Sequence, residues 1–172
     1  MKVLIAYDGS ADADAAVAMA AGVYAGASAV VVSVWEGFSE VVARSAKGLA
    51  VAALDFEEID RAAEQRAQEC AEAGAARARA GGLPAESRAV HRAFSVWGTI
   101  LDAAADADAD VIVMGSRGLT GIKSVLLGSA SRGVLGHADR PVMIVPATEV
   151  ARTRQQGRRC SQADPVGDSA VA

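Results

Sequence analysis

A glycine-rich stretch between residues 115 and 131 carries the pattern in this chain that best suits binding of an anion. It contains four glycines, among them Gly115, Gly118 and Gly128, and Ser129 follows the last of them directly. Residues without a Cβ atom allow main-chain N–H groups to approach phosphate oxygens closely. A helix beginning near residue 128 would add unpaired N–H groups and the positive end of its dipole. The stretch therefore predicts a phosphate-binding site between a strand and a helix.

Side chains of the same stretch could strengthen such a site. Ser129 and Ser131 would place hydroxyl groups in the first turn of the predicted helix. Arg117 and Lys123 would supply positive charge, although either side chain could instead face solvent. Turns are the commonest use of an isolated glycine, so the prediction depends on the four glycines together.

Other phosphate-binding and catalytic signatures do not occur in the sequence. There is no G-x-x-x-x-G-K-[ST] stretch, which excludes a P-loop. No G-x-G-x-x-G follows the first apolar run, which argues against a dinucleotide site, and no G-x-S-x-G elbow of a hydrolase is present. His91 and His137 match no catalytic-triad spacing.

Asp8 is the acidic residue best placed to meet a ligand. It ends the apolar run of residues 3–7 and precedes Gly9 and Ser10. In doubly wound sheets, ligands bind at the carboxyl ends of strands where the winding direction changes. Asp8 could instead do no more than cap a turn, so both roles stay open.

Five short apolar runs, separated by helix-like segments, define the predicted architecture. Four of them cover residues 3–7, 29–35, 111–114 and 142–145, and the third, over residues 86–91, is a weaker pattern that alternates polar and apolar residues. Helices are predicted between Ser10 and Gly26, and over residues 54–80, 96–107 and 128–137. Regular alternation implies parallel strands joined by right-handed crossovers. We therefore predict an α/β fold with a doubly wound, five-stranded parallel sheet and helices on both faces.

Two segments lack such patterns. Residues 36–51 are irregular and rich in small residues, which predicts a surface loop. Residues 148–172 contain an arginine cluster and no apolar periodicity, which predicts a disordered tail after a domain spanning residues 1–147.

Composition narrows the possible partners. The 172 residues suit a single domain, and a hydrophobic content of 52% is enough for its core. A net charge of −4 argues against nucleic acid or an anionic membrane as a general partner. The two cysteines, Cys70 and Cys160, form no metal-type spacing or disulfide framework, so we expect a cytoplasmic protein.

Several motifs together resemble the universal stress protein family, over residues 1–147. The spacing Gly115-x2-Gly118-x9-Gly128-Ser129 is similar to the ATP-binding signature of that family. Residues 3–10 resemble its first strand and acidic turn, and residues 111–118 and 134–145 resemble its fourth strand and closing segment. The resemblance implies the strand order 3-2-1-4-5, a homodimer formed through the last strand, and bound ATP with Mg²⁺ as a possible companion.

The resemblance also implies a role for individual residues. Asp8 would contact the ribose or a phosphate-bound Mg²⁺. The adenine pocket would be lined by Ala6 and Val34, the latter through its backbone. Met114 and Gly115 would lie by the ribose and phosphates, and the phosphate chain would be held by Gly118, Gly128, Ser129 and Ala130.

Three functions are compatible with these features. The first is an ATP-binding stress-response or signalling module, the second a slow ATPase, and the third an interaction protein that has lost its nucleotide. No general base or cluster of metal ligands accompanies the glycines, so we expect slow hydrolysis at most. The intact glycine spacing argues against the third function. Valine at Gly118 or Gly128 is expected to abolish ATP binding because its Cβ atom would occupy phosphate space.

Overall fold

A computed structural model describes residues 1–44, 55–119, 127–153 and 155 of the chain. Over these residues, five parallel strands form one sheet in the order β3-β2-β1-β4-β5: β1 (Lys2–Ala6), β2 (Ser28–Trp35), β3 (Ala85–His91), β4 (Val111–Gly115) and β5 (Val142–Val145). The named helices are α1 (Ala11–Val23), α2 (Phe38–Arg44), α3 (Phe56–Ala80), α4 (Val96–Asp106) and α5 (Ser129–His137). The predicted fold class and strand order are confirmed.

The central strands are apolar throughout because both faces of the sheet are covered. Val3 and Ile5 of β1 point into a core shared with α1 and α3. Leu4, between them, points into a second core, which it shares with Ile100 of α4 and Val134 of α5. This alternation explains why β1 and β4 are continuous apolar runs, as is usual for parallel sheets buried on both faces.

Side chains cap three of the helices at their first turns. The Ser10 hydroxyl accepts the Ala13 amide at 3.2 Å, and the Ser95 hydroxyl accepts the Gly98 amide at 3.0 Å. The Asp55 carboxylate caps α3 in the same way. Such caps satisfy amides that have no partner within the helix.

Residues 38–44 are helical, which corrects the prediction of a surface loop there. The Asp60 carboxylate accepts the Phe38 amide at 2.6 Å, at the beginning of α2. The rings of Phe38 and Phe56 lie 5.8 Å apart, so α2 is fixed by contacts with α3 rather than by its own sequence. Residues 45–51 of the predicted loop lie outside the described residues.

Residues 148–153 are also helical, where the sequence predicted the start of a disordered tail. The Ala151 amide donates to the Ala147 carbonyl at 3.0 Å, and the Thr153 hydroxyl donates to the Glu149 carbonyl. Local hydrogen bonding therefore extends the ordered chain past β5. Residues 154 and 156–172 lie outside the described part. No helix among the described residues combines the length and the apolar character needed to cross a bilayer.

Tyr7 joins β1 to the two helices that cover one face of the sheet. Its ring packs so closely on α3 that a Cβ atom at Gly74 would lie 2.8 Å from it. Its hydroxyl donates to the Asp14 carboxylate of α1 at 2.6 Å, and Arg77 of α3 lies 3.1 Å from the same carboxylate. A single buried aromatic residue thus fixes α1 and α3 against the end of β1.

Arg140 fastens the end of α4 to the entry of β5. Its Nη1 donates to the carbonyls of Ala104 and Ala109, each at 2.8 Å. The Ala104 carbonyl, in the last turn of α4, also accepts the Ala109 amide at 2.9 Å, so the guanidinium reinforces the turn that follows the helix.

A close contact between Trp97 of α4 and Gly133 fixes the position of α5. A Cβ atom at Gly133 would lie 2.3 Å from the Trp97 Cγ atom, and the Trp97 ring also stacks on His137 at 4.3 Å. The helix that follows the glycine-rich stretch therefore approaches α4 at a distance that only glycine permits.

We expect Tyr7→Phe to change the alkaline limb of the stability profile. Burial, and then the hydrogen bond to Asp14, raise the pKa of Tyr7 above its ordinary value of 10.0. A group whose pKa is raised by folding stabilises the fold below its unfolded pKa of about 10 and loses that contribution at higher pH. Urea denaturation should show a shallower loss of unfolding free energy above about pH 10 for Tyr7→Phe. Equal slopes for both proteins would contradict the assignment.

Two glycines of α5 should respond in opposite ways to alanine. Gly133→Ala is expected to lower the free energy of unfolding by about 1–3 kcal/mol, because its Cβ would displace the Trp97 ring. Gly136→Ala places its Cβ where no atom lies within 4 Å. It should be neutral or stabilising by about 0.5–1 kcal/mol. Coincident denaturation curves for the two variants would show that the close packing of Gly133 against Trp97 is absent.

Candidate functional site

A cavity of about 490 Å³ lies at the carboxyl ends of β1 and β4. The chain leaves β1 toward β2 on one side and returns to β4 on the other, so the order of strands reverses between them. Such a reversal opens a crevice that loops do not fill. All ten residues proposed from the sequence line this cavity: Ala6, Asp8, Val34, Met114, Gly115, Gly118, Gly128, Ser129, Ala130 and Ser131.

One end of the cavity is apolar. Val32 and Met114 line it from the sheet, and Val96 and Ile100 line it from α4. Neither Val96 nor Ile100 belongs to the glycine-rich stretch that predicted the site. Their spacing of four residues places both on one face of α4, which is the only sequence signal that could have associated them with the site.

The backbone of Val34 is directed toward the same apolar end. The Val32 carbonyl accepts the Tyr7 amide at 2.8 Å, and the pairing of β1 with β2 ends at Val32. Alternate residues of a strand direct their N–H and C=O groups toward the same neighbour. Val34 therefore offers one donor and one acceptor beyond the end of β1.

The first turn of α5 forms another part of the cavity lining. Gly128 is its N-cap residue, with φ −66° and ψ 167°, and it offers no side-chain acceptor. The Arg132 amide donates to the Gly128 carbonyl at 3.0 Å, which begins the helical pattern. Ser129, Ala130 and Ser131 precede that first bond, so their amides have no acceptor within the helix.

The side chain of Ser131 has a different function from the one expected. Its hydroxyl is buried and donates to two carbonyl oxygens, that of Gly115 at 2.9 Å and that of Ser116 at 3.2 Å. The hydroxyl proton therefore ties α5 to the end of β4. The main-chain amide remains as the donor that Ser131 can offer to a ligand.

Arg117 is held by a buried aspartate rather than facing solvent. Asp12, at the start of α1, is 4% exposed, and its carboxylate accepts the Ser116 hydroxyl at 2.6 Å. The Arg117 Nε atom lies 3.5 Å from the same carboxylate. The dipole of α1 also favours the negative charge of Asp12, because this residue lies in the first turn of the helix. Lys123, the other cation considered from the sequence, lies outside the described residues.

Asp8 fastens the loop after β4 to the end of β1. One carboxylate oxygen accepts the Ser10 amide at 3.0 Å, and the other accepts the Leu119 amide at 3.2 Å. The turn-capping role considered from the sequence is therefore present. The same carboxylate also lines the cavity. No group of three or more potential metal ligands occurs among the described residues.

The spaced glycines differ in what a Cβ atom would meet within the described chain. A Cβ at Gly115 would lie 2.8 Å from the main chain of Asp12 in α1. A Cβ at Gly118 would lie 2.6 Å from the Asp8 carboxylate. At Gly128 the nearest atom is the Cα of Arg117, at 3.5 Å, which is an ordinary contact. The expectation that valine at Gly118 or Gly128 abolishes ATP binding stays a prediction.

Comparison with known proteins agrees with this geometry. The model of the universal stress protein family matches residues 1–146 of the chain. The chain belongs to the universal stress protein family. A Thermus aquaticus relative, the universal stress protein in the QAH/OAS sulfhydrylase 3′ region, is 36% identical to it, over 83% of this chain and 96% of the relative.

Solved structures share the fold of this universal stress protein. The Methanocaldococcus jannaschii protein MJ0577 has a TM-score of 0.67 at 22% identity, covering 84% of this chain and 94% of that one. A universal stress protein solved in complex with cAMP has a TM-score of 0.60 at 25% identity, covering 86% of this chain and 98% of that one.

Alanine at two glycines of the motif should lower the stability of the protein to different extents. Gly115→Ala is expected to lower the free energy of unfolding by about 2–3 kcal/mol, because the main chain of α1 would have to move. Gly128→Ala should cost less than about 1 kcal/mol, since only a preference at the N-cap changes. Urea denaturation monitored by circular dichroism measures both. Equal losses would contradict the contact between Gly115 and α1.

Proposed function

We propose that this universal stress protein binds an adenine nucleotide, with ATP as the expected form, and acts as a stress-response or signalling module. The observation that carries the proposal is the uncapped first turn of α5 in the lining of a cavity that also has an apolar part. A nucleotide has the same division between a flat, largely apolar base and a charged phosphate chain. The ten cavity-lining residues derived from the sequence are proposed as its binding site.

The apolar end suits the adenine ring. Ala6, Val34 and Ile100 would cover its faces, and the N–H and C=O of Val34 would pair with the ring edge. An adenine edge presents an acceptor nitrogen beside an amine donor, which matches one main-chain donor beside one acceptor. Specificity for the base would then come from the backbone of β2 rather than from a polar side chain.

The first turn of α5 suits the phosphates. The amides of Ser129, Ala130 and Ser131 can each donate to a phosphate oxygen, and the helix dipole favours the negative charge. The Ser129 hydroxyl, on an exposed residue at the same turn, adds a further donor. Gly118 would lie beside this chain of oxygens while Asp8 holds its loop in place.

A Mg²⁺ ion is compatible with the site only as a companion of the phosphates. Asp8 is the one carboxylate among the described residues that line the cavity. Mg²⁺ in nucleotide sites is usually held by phosphate oxygens, water and one or two carboxylates. Asp8 would therefore supply a single ligand, and the bound ion would neutralise part of the phosphate charge.

The cavity does not favour rapid hydrolysis. Both oxygens of Asp8 accept main-chain amides, and the described lining contains no histidine that could act as a general base. The similar protein solved with cAMP supports binding of an adenine nucleotide as the common property. We therefore propose binding, with slow ATP hydrolysis at most, as the activity.

We also propose that the protein forms a homodimer through β5. The two edges of the sheet differ in their surroundings. At β3, Gln68 of α3 accepts the Ala89 amide at 3.0 Å, and Arg79 donates to the Ala85 carbonyl at 2.8 Å. Edge groups satisfied in this way resist strand addition. The edge at β5 carries the partly exposed Val142 and Ile144, which suits pairing with a second copy.

The substitution Gly128→Asp tests the phosphate site by moving stability and binding in opposite directions. Its carboxylate would cap the amides of α5 and raise the free energy of unfolding by a few tenths to about 1 kcal/mol. The same carboxylate would occupy the phosphate position and repel phosphate. Isothermal titration should therefore show that the wild-type protein binds ATP, whereas the more stable variant loses at least about tenfold in affinity.

Gly128→Ala is the matched control, because it adds a Cβ atom without a carboxylate. It should keep ATP affinity within a few-fold of wild type while losing a little stability. ATP affinity that is unchanged in Gly128→Asp would contradict a phosphate site at α5. A wild-type protein that binds no adenine nucleotide would contradict the proposed function itself.

A further inference from the structure

We propose that Arg132 makes this cavity prefer nucleotides with longer phosphate chains, so that affinity rises from AMP to ADP to ATP. The inference rests on the proposed function and deepens it, because it concerns which adenine nucleotide the same site selects. Arg132 lies just beyond the glycine-rich stretch that predicted the site.

Arg132 lies where a growing phosphate chain would meet it. It lines the cavity from α5, directly after the three residues whose amides have no acceptor in the helix. Its own amide is already bonded to the Gly128 carbonyl, so the backbone at this position is fixed. The exposed side chain can therefore move while its point of attachment cannot.

The two arginines of the cavity differ in their available charge. The Arg117 guanidinium is mostly buried and lies beside the buried carboxylate of Asp12, so the two charges largely cancel. Arg132 forms no ion pair within 4.0 Å with any residue in the part of the chain that the structure describes. Of the guanidinium groups described around the cavity, that of Arg132 has its charge free for a ligand.

The number of phosphates decides how much this charge is needed. Three main-chain amides and a helix dipole provide partial charges, which suffice for a phosphate group close to the helix axis. Each additional phosphate adds negative charge farther from those amides. Asp8, on the cavity wall, adds a negative charge of its own. A guanidinium can meet two phosphate oxygens at once and balance this charge.

The test compares AMP, ADP and ATP by isothermal titration of the full chain, wild type and Arg132→Gln. Ionic strength is held constant because it screens exposed charges, and Mg²⁺ is omitted because it would mask phosphate charge. Arg132→Gln is expected to lower ATP affinity roughly tenfold. The loss is smaller than for a buried contact because the Arg132 side chain is exposed to solvent. AMP affinity should change by less than about twofold, and Arg132→Lys should recover part of the ATP affinity.

Arg66→Gln is the matched control for net charge. Arg66 is exposed on α3, which contributes no residue to the cavity lining described. This variant should leave all three affinities within about twofold of wild type. An Arg132→Gln variant that loses affinity equally for AMP and ATP, or for neither, would overturn the inference while leaving the proposed function intact. Absence of any binding to the wild-type protein would overturn both.

Discussion

The uncapped start of α5 is the constraint around which the cavity is organised. Gly128 occupies the N-cap position without a side chain that could accept the amides of the next turn. Ser129, Ala130 and Ser131 therefore keep their N–H groups for another acceptor. Unpaired main-chain groups are costly only where they are shut away from water, and an open cavity keeps them solvated. A serine or aspartate cap would contribute stability, but it would also occupy the place of an anion.

Other contacts of the fold serve to fix this turn in space. Gly133 allows α5 to approach Trp97 of α4, and the buried hydroxyl of Ser131 ties the helix to the end of β4. Gly115 in turn lets β4 pass close to the main chain of α1. Close packing at Gly115 and Gly133 therefore holds β4 against α1 and α5 against α4. This packing brings the amides of α5 to the crevice beside β1.

The sequence could predict every strand of the sheet. The central strands β1 and β4 are continuous apolar runs because both of their faces are buried, whereas β3, at one edge, shows only a weaker alternation of polar and apolar residues. It could also predict the ten cavity-lining residues, through the glycine spacing, the position of Asp8 after a strand and the resemblance to the universal stress protein family. Non-local contacts could not be predicted. The helix α2 depends on Phe56 and Asp60 of α3, and the pairing of Arg117 with Asp12 joins residues more than a hundred positions apart. No sequence motif marks Arg132, and only its position near the start of α5 could have associated it with the cavity.

The most direct test of the central claim follows individual main-chain amides by NMR while ATP is added to the uniformly ¹⁵N-labelled protein. Direct donation to phosphate predicts that the resonances of Ser129, Ala130 and Ser131 shift together and that their hydrogen exchange slows at saturation. The resonance of Val34 should shift in the same titration, because it lies at the adenine end. Saturable ATP binding that leaves the three α5 amides unshifted and their exchange unchanged would contradict the claim.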